Sequence, residues 1–323
     1  MMDVNDHRLN VVNLFDGVIW RLGKFIRRMP FYDWINSATI VRRFCHDAAE
    51  QLADMPQRIN IETVNKCNGS CGFCPANTDN DPRLLQYMSD QLIHKIAKEL
   101  DVENYSGSIA LFLNNEPLID KRISQIAGIF RKSCPNNEIL LSTNGILLTA
   151  ERYFSLFDSG LSHLIINNYN NKRGFTDKIG KALDQILSSG HGKLREYMQS
   201  TVILLKNKDE ILKSRAGEAP NKINAKRYES YQQNSCANPF RQISILSDGR
   251  VSLCCEDYAG RVTVGNIETE SIRAVWSGSV MCAELQTNGH KTISTCQRCD
   301  YGHLGGDKAK SYLQFFVKWF SKL

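Results

Sequence analysis

The chain has 323 residues, of which 42% are hydrophobic and 23% charged, with a formal net charge of +6. That composition is ordinary for a globular protein and long enough for one large or two modest domains. No run approaches the apolar length of a membrane span, and Asp3 and Asp6 precede the first apolar stretch with no small-residue cleavage site after it, so neither a membrane protein nor a secretory signal is expected. The mild positive excess favours anionic partners without identifying one, and no nucleic-acid partner is read from it. Eleven cysteines without a signal point to metal or catalysis in a reducing cytoplasm rather than to disulfides.

In chain order, residues 8–54 read as helical. Val11, Phe15, Val18, Leu22 and Phe25 recur at helical spacing among Arg21, Lys24, Arg27 and Arg28, Pro30 interrupts, and Pro56 marks a boundary. A β/α alternation follows. Strand-like runs at 58–64, 108–113, 138–142, 163–166 and 200–205 are separated by helical patterns at 90–100, 121–132, 149–159 and 176–188. Such alternation predicts a parallel sheet, with five or six units before residue 230, too few for an eight-stranded barrel. Residues 231–305 differ in character. An apolar run at 242–246, the turn Ser247-Asp248-Gly249-Arg250 and a second run at 251–253 predict a hairpin. Near the end, Tyr312, Phe315, Phe316, Trp319, Phe320 and Leu323 recur at helical spacing among Lys308, Lys310, Lys318 and Lys322. Such a stripe docks on its own protein or a partner more often than on lipid, and peripheral membrane contact through the terminal helices stays open.

Ligands of an open parallel sheet bind at the carboxyl ends of its strands. After the first strand comes Asn65-Lys66-Cys67-Asn68-Gly69-Ser70-Cys71-Gly72-Phe73-Cys74-Pro75, with no fourth cysteine nearby. Structural zinc and four-iron clusters normally take four protein ligands, so three thiolates leave one metal corner open. The plain alternatives are three buried apolar cysteines or a partial zinc site. After the second strand comes Asn114-Asn115-Glu116-Pro117-Leu118, after the third Ser142-Thr143-Asn144-Gly145, and after the fourth Asn167-Asn168. A second set is Cys236, Cys254, Cys296 and Cys299, which would also suit a four-cysteine zinc ribbon. Cys255, Glu256 and Asp257 follow directly. Cys45, Cys134 and Cys282 read as buried thiols, Cys282 being a substitute ligand, and His290 and His303 as incidental neighbours of the cysteine pair.

The three-cysteine spacing, with Phe73 before its last cysteine, resembles the signature of the radical S-adenosylmethionine (SAM) superfamily. The resemblance covers about residues 56–305. It implies that Cys67, Cys71 and Cys74 hold three irons of a [4Fe-4S] cluster whose fourth iron is chelated by SAM. It implies further that Glu116 meets the SAM amino group, with Asn114 and Asn115 standing where the family often has glycines. Ser142 and Asn144 belong to a strand-end motif frequent in the family, and Asn168, with Asn167, lies where a ribose contact is often placed. The second cysteine set resembles the SPASM/twitch extension, implying one auxiliary [4Fe-4S] cluster; Gly265-Asn266-Ile267 and the stretch 271–276 also look like it. Beside an auxiliary ligand, Asp257 or Glu256 would act as general base, or Cys255 would return a hydrogen atom to a substrate radical. The plain alternative is a packed thiol and solvated acids.

The expected fold is α/β: a partial (β/α)6 TIM-like barrel over 56–230, a small hairpin/helix cluster-binding domain over 231–305, and helical termini at 1–55 and 306–323. The expected activity is reductive SAM cleavage, then hydrogen abstraction from a substrate carbon, leading to oxidation or epimerisation of a sugar or aminocyclitol in the cytoplasm with an external one-electron reductant. A peptide-modifying enzyme is the alternative substrate class. A non-enzymatic zinc or iron–sulfur electron-transfer protein is the alternative of another kind.

Overall fold

The computed structural model describes residues 10–13, 54–172, 174–208, 215–222, 238–278 and 292–299. Five strands run through the β/α region: β2 (Arg58–Ile61), β3 (Ser108–Ala110), β4 (Ile139–Thr143), β5 (His163–Tyr169) and β6 (Thr201–Lys206). Between them lie α1 (Asp90–Val102), α2 (Ile123–Ser133), α3 (Ala150–Asp158), α4 (Asp177–Leu187) and α5 (Leu194–Gln199). All five strands pair in parallel with their neighbours. Their carboxyl ends therefore emerge along one edge, which is where the three-cysteine loop and the strand-end motifs must lie.

Helix α1 shows why these segments fold as they do. The Ser89 hydroxyl accepts the Leu92 N–H at 3.1 Å, and Asp90 sits in the first turn, complementing the helix dipole. Leu92, Ile93, Ile96, Ala97 and Leu100 form its buried face. They join one core with Ile59 and Ile109 of the sheet and with Phe130 of α2. Each large side chain buried this way contributes roughly 1.5–3 kcal/mol. The helix stops where Asn104 turns left-handed at φ 48°.

Two features differ from, or extend, what periodicity suggests. Asn10–Asn13, inside the stretch expected to be helical, is instead a strand, β1, paired in parallel with β6. The open edge of β6 offers unpaired backbone groups, and two adjacent valines suit a strand. It supplies the sixth parallel strand of the unclosed sheet, so that position is filled from the amino-terminal side rather than by a sixth β/α unit. On the other flank, β7 (Gln242–Ile245) pairs in parallel with β2. It begins the expected hairpin with β8 (Arg250–Ser252), and β9 (Thr263–Asn266) follows antiparallel. The sheet order is β1-β6-β5-β4-β3-β2-β7-β8-β9. The main core continues into this flank through Ile245, Val251, Ile267 and Val275, the last from helix α6 (Ile272–Ser277). A smaller cluster of Phe240, Leu253 and Ile293 packs against Cys296 of the short helix α7 (Ser294–Gln297).

The rest of the amino-terminal helical expectation, the helix at 306–323, and Cys45, Cys236, Cys282, His290 and His303 lie outside the described residues. Among the described residues no helix is long and apolar enough to cross a membrane.

Candidate active site

The three-cysteine loop is built as a curl. The Thr78 N–H donates to the Gly69 carbonyl at 2.9 Å, and Cys74 N–H to the Cys71 carbonyl at 3.1 Å. The Asn77 carboxamide donates to the same Cys71 carbonyl at 2.9 Å. The centre of the curl is tight: a Cβ on Gly69 would stand 3.4 Å from the Cys67 sulfur, 3.5 Å from the Asn144 amide nitrogen and 3.9 Å from the Cys71 sulfur. Glycine thus leaves the space between two thiols open. Among the described residues no three His, Cys, Asp or Glu side chains converge as ligands of a single ion. Three thiols around one loop, with no fourth cysteine in it, suit a metal centre that keeps one corner for another ligand. Burial pushes the Cys67 thiol up to about 12, with Glu116, Cys74 and Cys71 adding to it; a bound metal is what would hold it as thiolate.

The strand-end motifs meet this loop. The Glu116 N–H donates to the Lys66 carbonyl at 2.9 Å, tying the β3 end to the start of the curl. The Glu116 side chain is buried and accepts from Thr143 Oγ1 at 2.6 Å, Asn144 N–H at 2.7 Å and Leu118 N–H at 3.0 Å. Burial raises its carboxyl above the ordinary range, opposed by those donors. Asn144 reaches the other way, donating to Asn68 Oδ1 at 2.8 Å and lying 3.7 Å from the Cys67 sulfur. Gly145 makes that turn possible: it sits at φ +74°, and a Cβ there would be 2.8 Å from Ile179. Ser142 Oγ accepts from Asn167 at 2.8 Å, and Lys206 donates to Asn167 Oδ1 at 2.6 Å. Asn168 is spent on the loop after β5, donating to the Gly174 carbonyl at 3.0 Å and accepting the Thr176 N–H at 2.9 Å. Asn115 accepts the Leu113 N–H at 2.9 Å.

Of the second cysteine set, Cys254, Cys296 and Cys299 lie within the described residues. Cys254 follows β8, where Leu253 N–H donates to the Val262 carbonyl at 2.9 Å. The α7 pair turns tightly, Cys299 N–H donating to the Cys296 carbonyl at 3.2 Å. Burial pushes the Cys296 thiol up to about 12, with Cys299 and the Asp257 carboxylate adding to it. Cys134 is a buried thiol at the end of α2, as expected.

The three residues after Cys254 divide. The Cys255 carbonyl accepts from the Asn114 carboxamide at 2.9 Å, and its sulfur accepts from Gln242 Nε2 at 3.3 Å. Glu256 is buried and pairs with Arg215 at 3.2 Å. Asp257 turns away, its carboxylate accepting the Arg261 N–H at 3.0 Å and the Val262 N–H at 2.8 Å. Asn114, where the family often has glycine, thus joins the β3 end to the segment that follows Cys254, and its Oδ1 also accepts from Arg215.

Three residues at this site carry no motif. Arg215 has only a turn cue beside it in Gly217. Tyr169 follows Asn167-Asn168 at the end of β5, so its strand-end place marks it; its ring packs 5.4 Å from that of Phe73. Arg83 donates to Asp81 at 3.0 Å, Glu62 at 3.2 Å, the Tyr258 carbonyl at 3.0 Å and the Asn114 carbonyl at 3.3 Å, clamping core to hairpin.

Comparison with known families gives two matches along the chain. The sequence model of the radical SAM superfamily matches residues 61–203, and that of an iron–sulfur cluster-binding domain, SPASM, matches residues 236–300. A SAM-dependent 2-deoxy-scyllo-inosamine dehydrogenase from Niallia circulans is 24% identical over 245 residues, covering 75% of this chain and 92% of that protein. A GTP 3′,8-cyclase from Clostridium perfringens is 29% identical over 164 residues, covering 48% of this chain and 49% of that one. In fold, the crystal structure of BtrN with AdoMet and 2-DOIA superposes with a TM-score of 0.61 at 22% identity, over 76% of this chain and 93% of that one. The cofactors that accompany these two domains are a SAM-binding [4Fe-4S] cluster and an auxiliary [4Fe-4S] cluster. The chain belongs to the radical SAM superfamily and carries a SPASM-type iron–sulfur cluster-binding domain after its core.

Proposed function

We propose that this radical SAM enzyme oxidises a secondary hydroxyl of an aminocyclitol or a closely similar sugar-like molecule to a ketone. The observation that carries the reading is the bond from the Asn114 carboxamide to the Cys255 carbonyl at 2.9 Å. It lays the segment Cys254-Cys255-Glu256 over the strand ends that face the three-cysteine loop, so one small substrate would meet both centres. The dehydrogenase from Niallia circulans, similar over most of both chains, supports the substrate class.

Cys67, Cys71 and Cys74 are assigned to the SAM-binding cluster, and Cys254, Cys296 and Cys299 with Cys236 to the auxiliary one. Oxidising the hydroxyl removes a hydrogen atom from carbon, a proton from oxygen and one electron. When bound, SAM and its cluster supply the radical that takes the hydrogen atom, and the auxiliary cluster supplies an acceptor for the electron. Glu256 is assigned to the proton, as an acceptor held in place by Arg215. Glu116 acts through Thr143 and Asn144, fixing the strand ends on which SAM would rest. An external one-electron reductant completes the system.

One observation favours a second outcome. The Cys255 sulfur, set by Gln242 on the same face, could return a hydrogen atom to the substrate radical and give an epimer. Anaerobically reconstituted protein is to be incubated with SAM, a reductant and 2-deoxy-scyllo-inosamine. Oxidation gives a product two hydrogens lighter, with deuterium from the reacting carbon recovered in 5′-deoxyadenosine, and survives Cys255→Ala. A product of unchanged mass from unlabelled substrate, lost in Cys255→Ala, selects epimerisation. No 5′-deoxyadenosine from fully loaded protein overturns both.

A further inference from the structure

The segment 215–222 bridges the two cysteine sets. At one end, Asn221 N–H donates to the Gly72 carbonyl of the three-cysteine loop at 3.1 Å. At the other, Glu218 pairs with Arg261 at 3.1 Å and with Arg298, between Cys296 and Cys299, at 2.9 Å. Gly217 presses on that same residue: a Cβ there would lie 2.7 Å from the Arg298 Cβ. At the start of the segment Arg215 donates to Asn114 Oδ1 and, at 3.2 Å, to Glu256. Its charge also interacts with the thiols of Cys74 and Cys255.

The backbone is unusual at this point. Arg215 and Ala216 both lie in the left-handed region, at φ 50° and 55°. Such a conformation is strained for a non-glycine residue, and persists only where surrounding contacts over-determine it. Here the anchors at Gly72, Asn114, Glu256, Arg261 and Arg298 do so. The strain is spent on aiming one guanidinium between the two centres.

We propose that Arg215 is a positioning residue that couples the two iron–sulfur centres, orienting Glu256 and fixing a buried positive charge between the cysteine sets. This rests on the reading of those sets as the two cluster sites. A cation near a cluster stabilises its reduced, more negative form, and the Glu256 carboxylate opposes it. The two residues therefore push the auxiliary potential in opposite directions, which a role in folding alone would not do.

The test is a redox titration, followed by electron paramagnetic resonance, of the reconstituted protein and of Arg215→Gln, Arg215→Lys, Glu256→Gln and the double variant. The auxiliary potential is expected to fall in Arg215→Gln, to rise in Glu256→Gln, and to return toward the parent in the double variant and in Arg215→Lys. Potentials unchanged in both single variants overturn the proposal, as do shifts of the same sign. Where Arg215→Gln does not load its auxiliary cluster, Glu256→Gln and Arg215→Lys decide: no rise in the first, or a fall in the second as large as loss of the charge would give, overturns it. A parent protein that binds only one cluster defeats the underlying reading instead, and its iron content reveals this before any variant is compared.

Discussion

Thr143 Oγ1 donates to Glu116 Oε1 at 2.6 Å, inside a pocket where both residues are fully buried. The carboxylate also receives the Asn144 and Leu118 N–H groups, so three donors converge on it. Glu116→Gln places an amide N–H₂ against one of those donors and leaves a buried group unpaired, at about 1–3 kcal/mol. Thr143→Val removes that donor and also the acceptor of the Gly145 N–H at 3.0 Å, so it too leaves a buried group unpaired and is expected to cost a similar amount. Urea unfolding of the metal-free protein measures both. Equal stability of Glu116→Gln and the parent would show that the carboxylate does not brace the β3 and β4 ends.

A second buried carboxyl gives a pH dependence. Burial pushes Glu62 up to about 7, outweighing the Arg83 guanidinium 3.2 Å away. A group whose folded pKa is raised gives stability that is present below its unfolded value and lost as pH rises through the folded one. Between about pH 4.5 and 7 the folded protein keeps a proton that the unfolded chain has released. The parent is expected to lose on the order of 3 kcal/mol across that window relative to Glu62→Gln. Unfolding free energies of both proteins at several pH values check the slope; parallel curves would remove Glu62 from the account.

The sheet was legible in the sequence where its signal is local. Strands β2–β6 and helices α1–α4 follow from hydrophobic period, whereas the six-residue α5 is too short to show one, and Thr149, whose side chain accepts the Arg152 N–H at 3.2 Å, begins α3 as its residue type suggests. The pairing of Asn10–Asn13 with β6 had no such signal, because a parallel partner some 190 residues away leaves no local pattern. The site divides in the same way. Cysteine spacing announced the three-cysteine loop, whereas Arg215 is placed by its bonds to Asn114 and Glu256 and by the contacts of Glu218 and Asn221 with distant segments. Glu256 and Asp257 are adjacent acids, and nothing in their order says which one turns toward the strand ends.

The two cysteine sets should be separable. Replacing Cys67, Cys71 and Cys74 together by Ala removes ligands from the curl around Gly69 and none from the Cys254 and α7 cluster, which packs separately through Leu253 and Ile293. Iron content is expected to fall from about eight to about four per chain, with loss of 5′-deoxyadenosine formation. Iron and sulfide assays on the reconstituted proteins measure this. Loss of all iron would mean that the second set depends on the first.

Asp257 and Glu256 are expected to fail in different ways. The Asp257 carboxylate holds the Arg261 and Val262 N–H groups at 3.0 and 2.8 Å and lies close to the Cys296 thiol. Asp257→Ala takes the acceptor from the Arg261 and Val262 N–H groups, at about 1 kcal/mol each, in the turn that follows Cys254. The expected result is lower stability and about four irons instead of eight. Glu256→Gln leaves that turn intact, so its iron content should match the parent while ketone formed per 5′-deoxyadenosine falls. The discriminating measurement is iron content beside that product ratio. Asp257→Ala with full iron and parental stability but no ketone would transfer the proton-accepting role from Glu256 to Asp257.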